Sequence, residues 1–553
     1  MKKILTFAAA IIALSLIAGA ASRSDKAEIS RNLDIFNSLY KELQTFYVDT
    51  IDASKSITTA INAMLDDIDP YTEYIPQDKQ DAFKRMTTGE YAGIGSLIMQ
   101  RDGNIYISEP LVGSPAFQSG LRSGDRIITI DGDSVTGWTT EKASSRLKGN
   151  AGTMVKVTVC RPYVTDSIIS VDITRRKIQE QSVPFYGVVR DNIGYIVLTS
   201  FTDKSAAEVK DALLKLKADP RVKSIVLDLR GNGGGLLEAA VKIVSYFVPK
   251  GTEVLRQRGR ELTNEKVYKT TSSPIDTKIP LAILIDGATA SSSEIVSGAL
   301  QDLDRAVVIG QRSFGKGLVQ TSRPLPYEGL LKVTIAKYFL PSGRLVQAID
   351  YSRRNPDGSV SRIPDSLTNA FTTANGREVR DGGGITPDIK VKYSTPNRMT
   401  YNVVENFKIM DYATKYAATH DTIAAPSQFV VTDEMFEDFR AFVNPVTINY
   451  DRVLDKMIDN LREGAKHEGY MTDSVSAQID VLATMLRHDP DHDFNTARPD
   501  LERLLSNEIV SRYYLRPGQI ENSLRFDEGL DSAANVLNTP GRYAELLKPA
   551  KKR

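Results

Sequence analysis

Three segments of this 553-residue chain hold residue types that together could drive nucleophilic chemistry. The first, Asp286-Gly287-Ala288-Thr289-Ala290-Ser291-Ser292-Ser293-Glu294-Ile295, leads from an apolar run into a helical pattern through small residues. A serine at such a junction leaves room for a substrate backbone to approach. The N–H groups and dipole of a helix start would also stabilise a developing oxyanion there. The same residues equally suit an ordinary serine N-cap. The second segment, Gly310-Gln311-Arg312-Ser313-Phe314-Gly315-Lys316-Gly317-Leu318-Val319-Gln320, sets Lys316 among glycines and apolar residues. A lysine kept from water loses its preference for the charged form and can accept a proton near neutral pH. If Gly317–Thr321 is extended, residues 316 and 320 share a face, and the Gln320 amide oxygen could orient the Lys316 amine. The third segment, Asp228-Leu229-Arg230-Gly231-Asn232-Gly233-Gly234-Gly235, closes an apolar strand-like run. Its consecutive glycines leave backbone N–H groups uncovered, as an oxyanion hole or a phosphate nest requires. A simple strand-to-helix turn would need only one or two of them.

Other chemistries are weighed on the same residues. Gly310 to Lys316 fits the phosphate-loop pattern G-x-x-x-x-G-K, but Gly317 stands where a magnesium-holding Ser or Thr belongs, and strand rather than helix follows. Ser313-Phe314-Gly315-Lys316 fits S-x-x-K, a motif that needs a helix, which Gly315 and Gly317 disfavour. Histidine is the usual base for a serine nucleophile. All four histidines (His420, His467, His488 and His492) fall in the polar C-terminal stretch, so a Ser-His-Asp triad within the α/β region is excluded unless the tail folds over it. The run His488-Asp489-Pro490-Asp491-His492-Asp493 could bind a metal weakly but reads as a tail loop; no metal site is expected. The single cysteine, Cys160, precludes an intramolecular disulfide and reads as a packed core thiol.

The elements that must position these groups follow from apolar spacing. Val222–Leu229 and Pro280–Ile285 are apolar runs too short for helices and suited to strands buried on both faces, and Ala306–Ile309 is a third. Leu236–Phe247 and Ser292–Leu303 show helical spacing, and Leu331–Leu340 is a long later strand. Strands alternating with helices from about 193 to 392 are α/β patterning. Upstream, Leu33 to Leu65 carries helical periodicity that Asp69-Pro70 ends. Between them, Asn104–Ser108, Arg126–Ile130 and Met154–Val159 are short strands separated by glycine turns. Beyond about 394 the chain is mainly helical, with Tyr450–Glu463 and Ala477–Leu486 the clearest helices.

Charge and the N-terminus set the setting. With 70 basic and 69 acidic residues the net charge is +1, which gives no electrostatic reason to bind nucleic acid or anionic lipid. Hydrophobic residues at 41% and charged residues at 25% suit a folded globular protein. Lys2-Lys3, the apolar run from Ile4 to Ala18 and Ala18-Gly19-Ala20 read as an export signal over 1–20, with an uncleaved N-terminal anchor as the alternative. No cysteine lies near enough to carry a lipid.

The block Gly93-Ile94-Gly95, Gly113-Ser114-Pro115-Ala116, Ser119-Gly120-Leu121-Arg122-Ser123-Gly124-Asp125-Arg126-Ile127 and Asp131-Gly132 resembles a PDZ domain. With Asp228–Gly235, Ala290–Ile295, Ser313–Gln320, Pro341-Ser342-Gly343-Arg344 and Gly384-Ile385-Thr386-Pro387-Asp388, it resembles the carboxyl-terminal processing, or tail-specific, peptidases over about 35 to 391. The resemblance implies a serine endopeptidase with Ser291 as nucleophile, Lys316 as general base and Gln320 orienting the lysine. Backbone amides near Gly234 and of Ser292 would form the oxyanion hole, with Glu294 and Asp302 in support. Ser292 stands where the family usually has alanine. The implied fold is multidomain α+β: an N-terminal helical segment (25–87), a PDZ domain (88–178), a crotonase- or Clp-like peptidase core (179–393) and a helical C-terminal domain (394–553). No cofactor is implied. The PDZ loop Tyr91, Gly93, Ile94, Gly95 and Ser96 would hold a substrate's free, apolar C-terminus through backbone N–H groups. The expected setting is the periplasm, and the terminal helical regions are candidates for self-association or adaptor docking. The competing reading is a non-catalytic PDZ scaffold with a lapsed peptidase core.

Overall fold

Three adjacent parallel strands explain why distant motifs meet. In the computed structural model, which describes residues 26–165, 167–260, 265–355, 359–445, 448, 453–486 and 489–549, a six-stranded sheet is central. Its order is Phe185–Val189, Ile193–Val197, Ser224–Asp228, Leu281–Ile285, Val307–Gly310 and Ile389–Lys390. The first pair is antiparallel and the rest are parallel. Ser224–Asp228, Leu281–Ile285 and Val307–Gly310 are buried at every position, because layers cover both faces. Ile196, Leu227, Ile283 and Val308 pack with helices Ser205–Ala218, Leu237–Val244 and Ser292–Asp302 on one face. Tyr195, Val226, Leu284 and Ile309 face the other way, against Leu530, Ala533 and Val536 of helix Glu528–Asn538. Helix Glu528–Asn538 thus contributes to the second layer over this sheet.

Parallel strands share a direction, so the turns after Asp228, Ile285 and Gly310 all leave one edge of the sheet, where α/β ligand sites form. These turns are the three segments that carry the candidate chemistry. The elements expected from the sequence lie within a few residues of those observed, as Ser292–Asp302 and Leu330–Phe339 illustrate.

The described chain divides into two compact units. The smaller joins the described residues up to Gln77 with Thr321–Val333; the larger holds Asp78–Gln320 and everything from Thr334 onward. In the smaller unit, residues 26–46 and Ala53–Asp66 are helical, and Leu33, Phe36, Leu39, Leu43 and Phe46 stand exposed. Its strand Glu73–Ile75 pairs antiparallel with 330–332.

Within the larger unit, the region resembling a PDZ domain is an antiparallel sheet ordered Ser96–Arg101, Asn104–Pro110, Arg126–Ile130, Met154–Cys160, Ile168–Thr174. It closes over Ile105, Ile107, Ile127, Val155 and Val157, with helix Thr140–Leu147 alongside. Cys160 is a half-buried free thiol at a strand end. The C-terminal helices have their own aromatic centre of Tyr412, Phe436, Phe439 and Phe494.

One sequence expectation falls differently. Residues 489–493 are not a loop: Asp489 caps helix Pro490–Thr496 by accepting the N–H groups of Asp491 and His492, and proline suits the first helical turn. The export segment 1–20, His488 and the start of the helix expected from Tyr450 lie outside the described residues. Among the described residues, no helix is long and apolar enough to cross a membrane, and no cluster of potential metal ligands is found.

Ile283 lies fully buried at the centre of the sheet. Ile283→Ala should lower core stability by about 2–5 kcal/mol, the range for deleting a buried aliphatic side chain. The urea midpoint of the core transition measures this, and an unchanged midpoint would contradict the burial described.

Candidate active site

Ser291 ends the turn after strand Leu281–Ile285 and begins helix Ser292–Asp302. Its backbone sits at φ 56 and ψ −115, a strained conformation for a residue with a side chain. The turn before it is pinned by Asp286, whose Oδ1 accepts the N–H groups of Ala288 and Thr289 at 3.0 Å. Thr289 Oγ1 donates to the Leu229 carbonyl at 2.9 Å, tying the turn to the neighbouring strand end.

The three serines here are not equivalent. Ser292 Oγ donates to the Gly235 carbonyl and Ser293 Oγ to the Asn232 carbonyl, each at 2.9 Å, and both side chains are buried. Ser291 alone of the three is only half-buried.

Glu294, one turn into the helix, is wholly buried. Its Oε2 accepts the Ser291 N–H at 2.9 Å and the Lys316 N–H at 2.8 Å. Its Oε1 accepts the Gly315 N–H at 2.8 Å and the Ser313 hydroxyl at 2.5 Å. Burial raises the Glu294 carboxyl above the usual glutamate value, while these four donors work in the opposite direction. The two candidate chemical residues thus share one carboxylate oxygen through their backbones.

Lys316 lies in an irregular stretch two residues before strand Leu318–Pro324, and Gln320 lies on that strand. Gln320 Nε2 donates to Thr334 Oγ1 at 3.1 Å, and Gly317 N–H donates to Gln347 Oε1 at 2.7 Å. No helix brings Ser313 to Lys316, and the buried Ser313 hydroxyl is already engaged by Glu294 and by the Ile385 N–H at 2.6 Å. Strand rather than helix follows Lys316, so the phosphate-loop geometry is absent too.

The glycine turn lies against Ser291. Gly234 has φ +103, and a Cβ there would come within 2.8 Å of Ser291 Cβ, so only glycine fits. Its N–H donates to Asn232 Oδ1 at 2.9 Å. The Ser292 N–H, first in its helix, has no hydrogen-bond partner among the described residues. Asp302, at the far end of the helix, pairs with buried Arg344 at 2.8 Å and accepts the Ser342 N–H at 3.0 Å. It secures the 341–344 turn rather than approaching Ser291.

In the PDZ-like region Tyr91, Ile94, Gly95 and Ser96 line a groove of about 180 Å³ with Leu97, Leu147 and Lys148. Gly93 lies in the adjoining strand, outside the lining. The Ile94 and Gly95 N–H groups have no hydrogen-bond partner among the described residues. Arg85 and Lys148 both face the Tyr91 ring, at 4.5 and 5.7 Å from its centroid. Burial, aided by Arg85, lowers the Lys148 amine from its usual value.

Sequence reasoning missed Tyr338, whose buried hydroxyl lies 2.9 Å from the Lys316 carbonyl and 3.3 Å from that of Ser291. Burial and the charge of Glu294 push this phenol well above its normal value. The signal was there: Thr334, Ala336 and Tyr338 alternate onto one face of strand Leu330–Phe339. Arg85 and Lys148 gave no such signal, being 63 positions apart by residue number. The three described histidines, His420, His467 and His492, are all exposed in the C-terminal region.

Residues 192–360 match peptidase family S41, and residues 82–160 match the PDZ domain. Residues 399–537 match a family described as the C-terminal helical domain of a probable PDZ-protease. The carboxy-terminal-processing protease of Bartonella bacilliformis is 34% identical over 388 residues, covering 69% of this chain and 88% of that protein. The chain belongs to peptidase family S41. A probable CtpA-like serine protease of Staphylococcus haemolyticus is 30% identical over 462 residues, 82% of this chain and 89% of that one. Among solved structures, a photosystem II D1 C-terminal processing protease is 26% identical with a TM-score of 0.36, covering 64% of this chain and 86% of its own. This S41 protein is therefore a serine-type, carboxy-terminal-processing peptidase with a PDZ domain, and the scaffold reading is set aside.

In this S41 peptidase, Glu294→Gln would turn an amide N–H₂ toward N–H donors. It should cost about 3 kcal/mol, the scale for leaving buried partners unpaired, and remove most peptidase activity. Denaturant titration and peptide hydrolysis measure the two effects; a fully active, equally stable variant would contradict the role described for the carboxylate.

Proposed function

We propose that this peptidase is an exported endopeptidase using a Ser-Lys dyad, with Ser291 as nucleophile and Lys316 as general base. The observation that carries the reading is the shared Glu294 Oε2, which holds the backbones of both residues while Ser292 and Ser293 are tied off. Ser291 Oγ attacks the scissile carbonyl carbon as its proton passes to the neutral Lys316 amine. The oxyanion of the tetrahedral intermediate is received by the Ser292 N–H, with the Gly234 turn opposite. Lys316 returns the proton to the leaving amine, and water, deprotonated in turn by Lys316, hydrolyses the acyl-enzyme. Gln320 is assigned the orientation of the lysine, and Glu294 holds the frame.

The PDZ groove is assigned the substrate's free C-terminus: N–H groups of the Ile94-Gly95 turn meet the carboxylate, and Leu97 and Leu147 meet an apolar last side chain. Export to the periplasm rests on the sequence of 1–20. Self-association or adaptor docking is assigned to the terminal helical regions, where Leu33, Phe36 and Phe46 are exposed.

Ser291→Ala should abolish cleavage of an unstructured peptide without changing the thermal midpoint. Lys316→Arg should be inactive although it keeps the charge, because guanidinium stays protonated. Replacing His420, His467, His488 and His492 together should leave turnover within about twofold, since the proposed dyad routes no proton through a histidine. An active Lys316→Arg beside an inactive histidine-free protein would overturn the dyad.

Amidating the C-terminus of a substrate peptide should weaken its binding to the PDZ region by about tenfold or more, since a charge-assisted contact is lost. Fluorescence anisotropy with acid and amide forms tests this, and equal binding would refute the assignment.

A further inference from the structure

Arg230 starts the glycine turn that faces Ser291, and its guanidinium is gripped from two sides. Asp228, at the end of the same strand, accepts Nε at 2.9 Å and Nη2 at 2.7 Å. Asp527, from the C-terminal region, accepts Nη1 at 2.9 Å and Nη2 at 2.5 Å. Tyr195 completes the cluster, donating its hydroxyl to Asp228 Oδ2 at 2.5 Å and accepting Arg230 Nη2 at 3.0 Å. Burial opposes the charge on Arg230, yet the two carboxylates hold it more firmly protonated than usual. Burial likewise works to raise the Asp527 carboxyl, but Arg230 and the N–H groups of Leu530 and Gly529 hold it below the usual aspartate value.

Gly231, Asn232, Gly234 and Gly235 each meet the turn that carries Ser291. Gly231 N–H donates to both Asp286 oxygens at 3.1 Å. The Asn232 carbonyl accepts Ala290 N–H at 3.0 Å and Ser293 Oγ at 2.9 Å. The Gly235 carbonyl accepts Ser292 Oγ, and Gly234 abuts Ser291 itself. A movement of Arg230 therefore passes straight to the backbone opposite Ser291.

Seating helix Glu528–Asn538 does not require the ion pair, because Leu530, Ala533 and Val536 already bury it on the sheet. A buried ion pair adds little net stability over apolar packing and is a means of fixing one arrangement. Asp228 alone could partner Arg230 locally; Asp527 adds an anchor 297 residues away in sequence.

We propose that Asp527 is a positioning residue for the peptidase reaction: through Arg230 it fixes the glycine turn opposite Ser291, so that the C-terminal helical region completes the catalytic site. This rests on the reading of Ser291 as nucleophile.

The test is Asp527→Asn in the full chain. Asparagine still caps the helix with its amide oxygen accepting the Leu530 N–H, while the charge facing Arg230 and one of the two carboxylate oxygens that accept from it are lost. The kcat for a peptide with a free apolar C-terminus should fall about 10- to 100-fold, the scale for a reacting group misplaced by a small shift of the backbone that abuts it. KM should move less than about twofold, because a loss confined to the transition state leaves ground-state binding alone. Labelling of Ser291 by a fluorophosphonate should slow in parallel, and Asp527→Glu should recover part of both. Val536→Ala, further along the same helix and away from its Asp527 cap, should lower the thermal midpoint and leave kcat unchanged. Wild-type kcat and labelling in Asp527→Asn, or kcat falling in both variants in proportion to lost stability, would overturn the proposal. Fluorophosphonate landing on a residue other than Ser291 in the wild type would instead overturn the nucleophile assignment on which it rests.

Discussion

One carboxylate, fully withdrawn from water, holds the reactive end of this protein together. Burying Glu294 is costly in isolation, and its two oxygens recover the cost only by accepting four hydrogen bonds from three backbone N–H groups and one hydroxyl. Those donors come from both sides of the site: Ser291 on the helix start, and Ser313, Gly315 and Lys316 on the segment after the next strand. The strained backbone of Ser291 persists because this carboxylate and the flanking turns over-determine it. Tyr338 closes the same ring from a third element, with its hydroxyl between the Ser291 and Lys316 carbonyls.

The sheet makes such a ring reachable. Neighbouring parallel strands Ser224–Asp228, Leu281–Ile285 and Val307–Gly310 deliver their turns to one edge, within the spacing of adjacent strands. Short turns then suffice, and small residues let the backbones approach: Gly234 tolerates no Cβ beside Ser291. Ser292 and Ser293 are used as fasteners between turns, which leaves a three-serine run with a single accessible member.

Residues after 394 are part of this architecture rather than an appendage. They supply the layer over the second face of the sheet, and Asp527 reaches the strand end at Arg230. The same region meets the PDZ domain through Arg101 and Asp411 at 2.7 Å and through the Arg516 N–H to Glu109 at 2.7 Å. Helix Arg498–Ser523, kinked at Leu515 beside Pro517, carries the Arg516 contact and packs Ile520 against the sheet. The PDZ domain and the strand end at Arg230 thus both contact this helical region.

The sequence alone determined the local elements and the chemical inventory. Buried parallel strands declare themselves as unbroken apolar runs, and helix Ser292–Asp302 shows its small-residue start and its Glu294, so Ser291, Lys316 and the glycine turn could be singled out in advance. The absence of histidine from residues 193–392 was equally legible and pointed to lysine. Tertiary structure decided which serine stays accessible, that Glu294 rather than a surface partner binds the two candidate residues, and that Asn232 takes up the Gly234 N–H. It also decided that Asp527 grips Arg230 and that Arg85 and Lys148 flank one groove. Periodicity reports which way a residue faces within its own element. It carries no information about pairs hundreds of positions apart, whose meeting is fixed only when separate layers bury their apolar faces against one another.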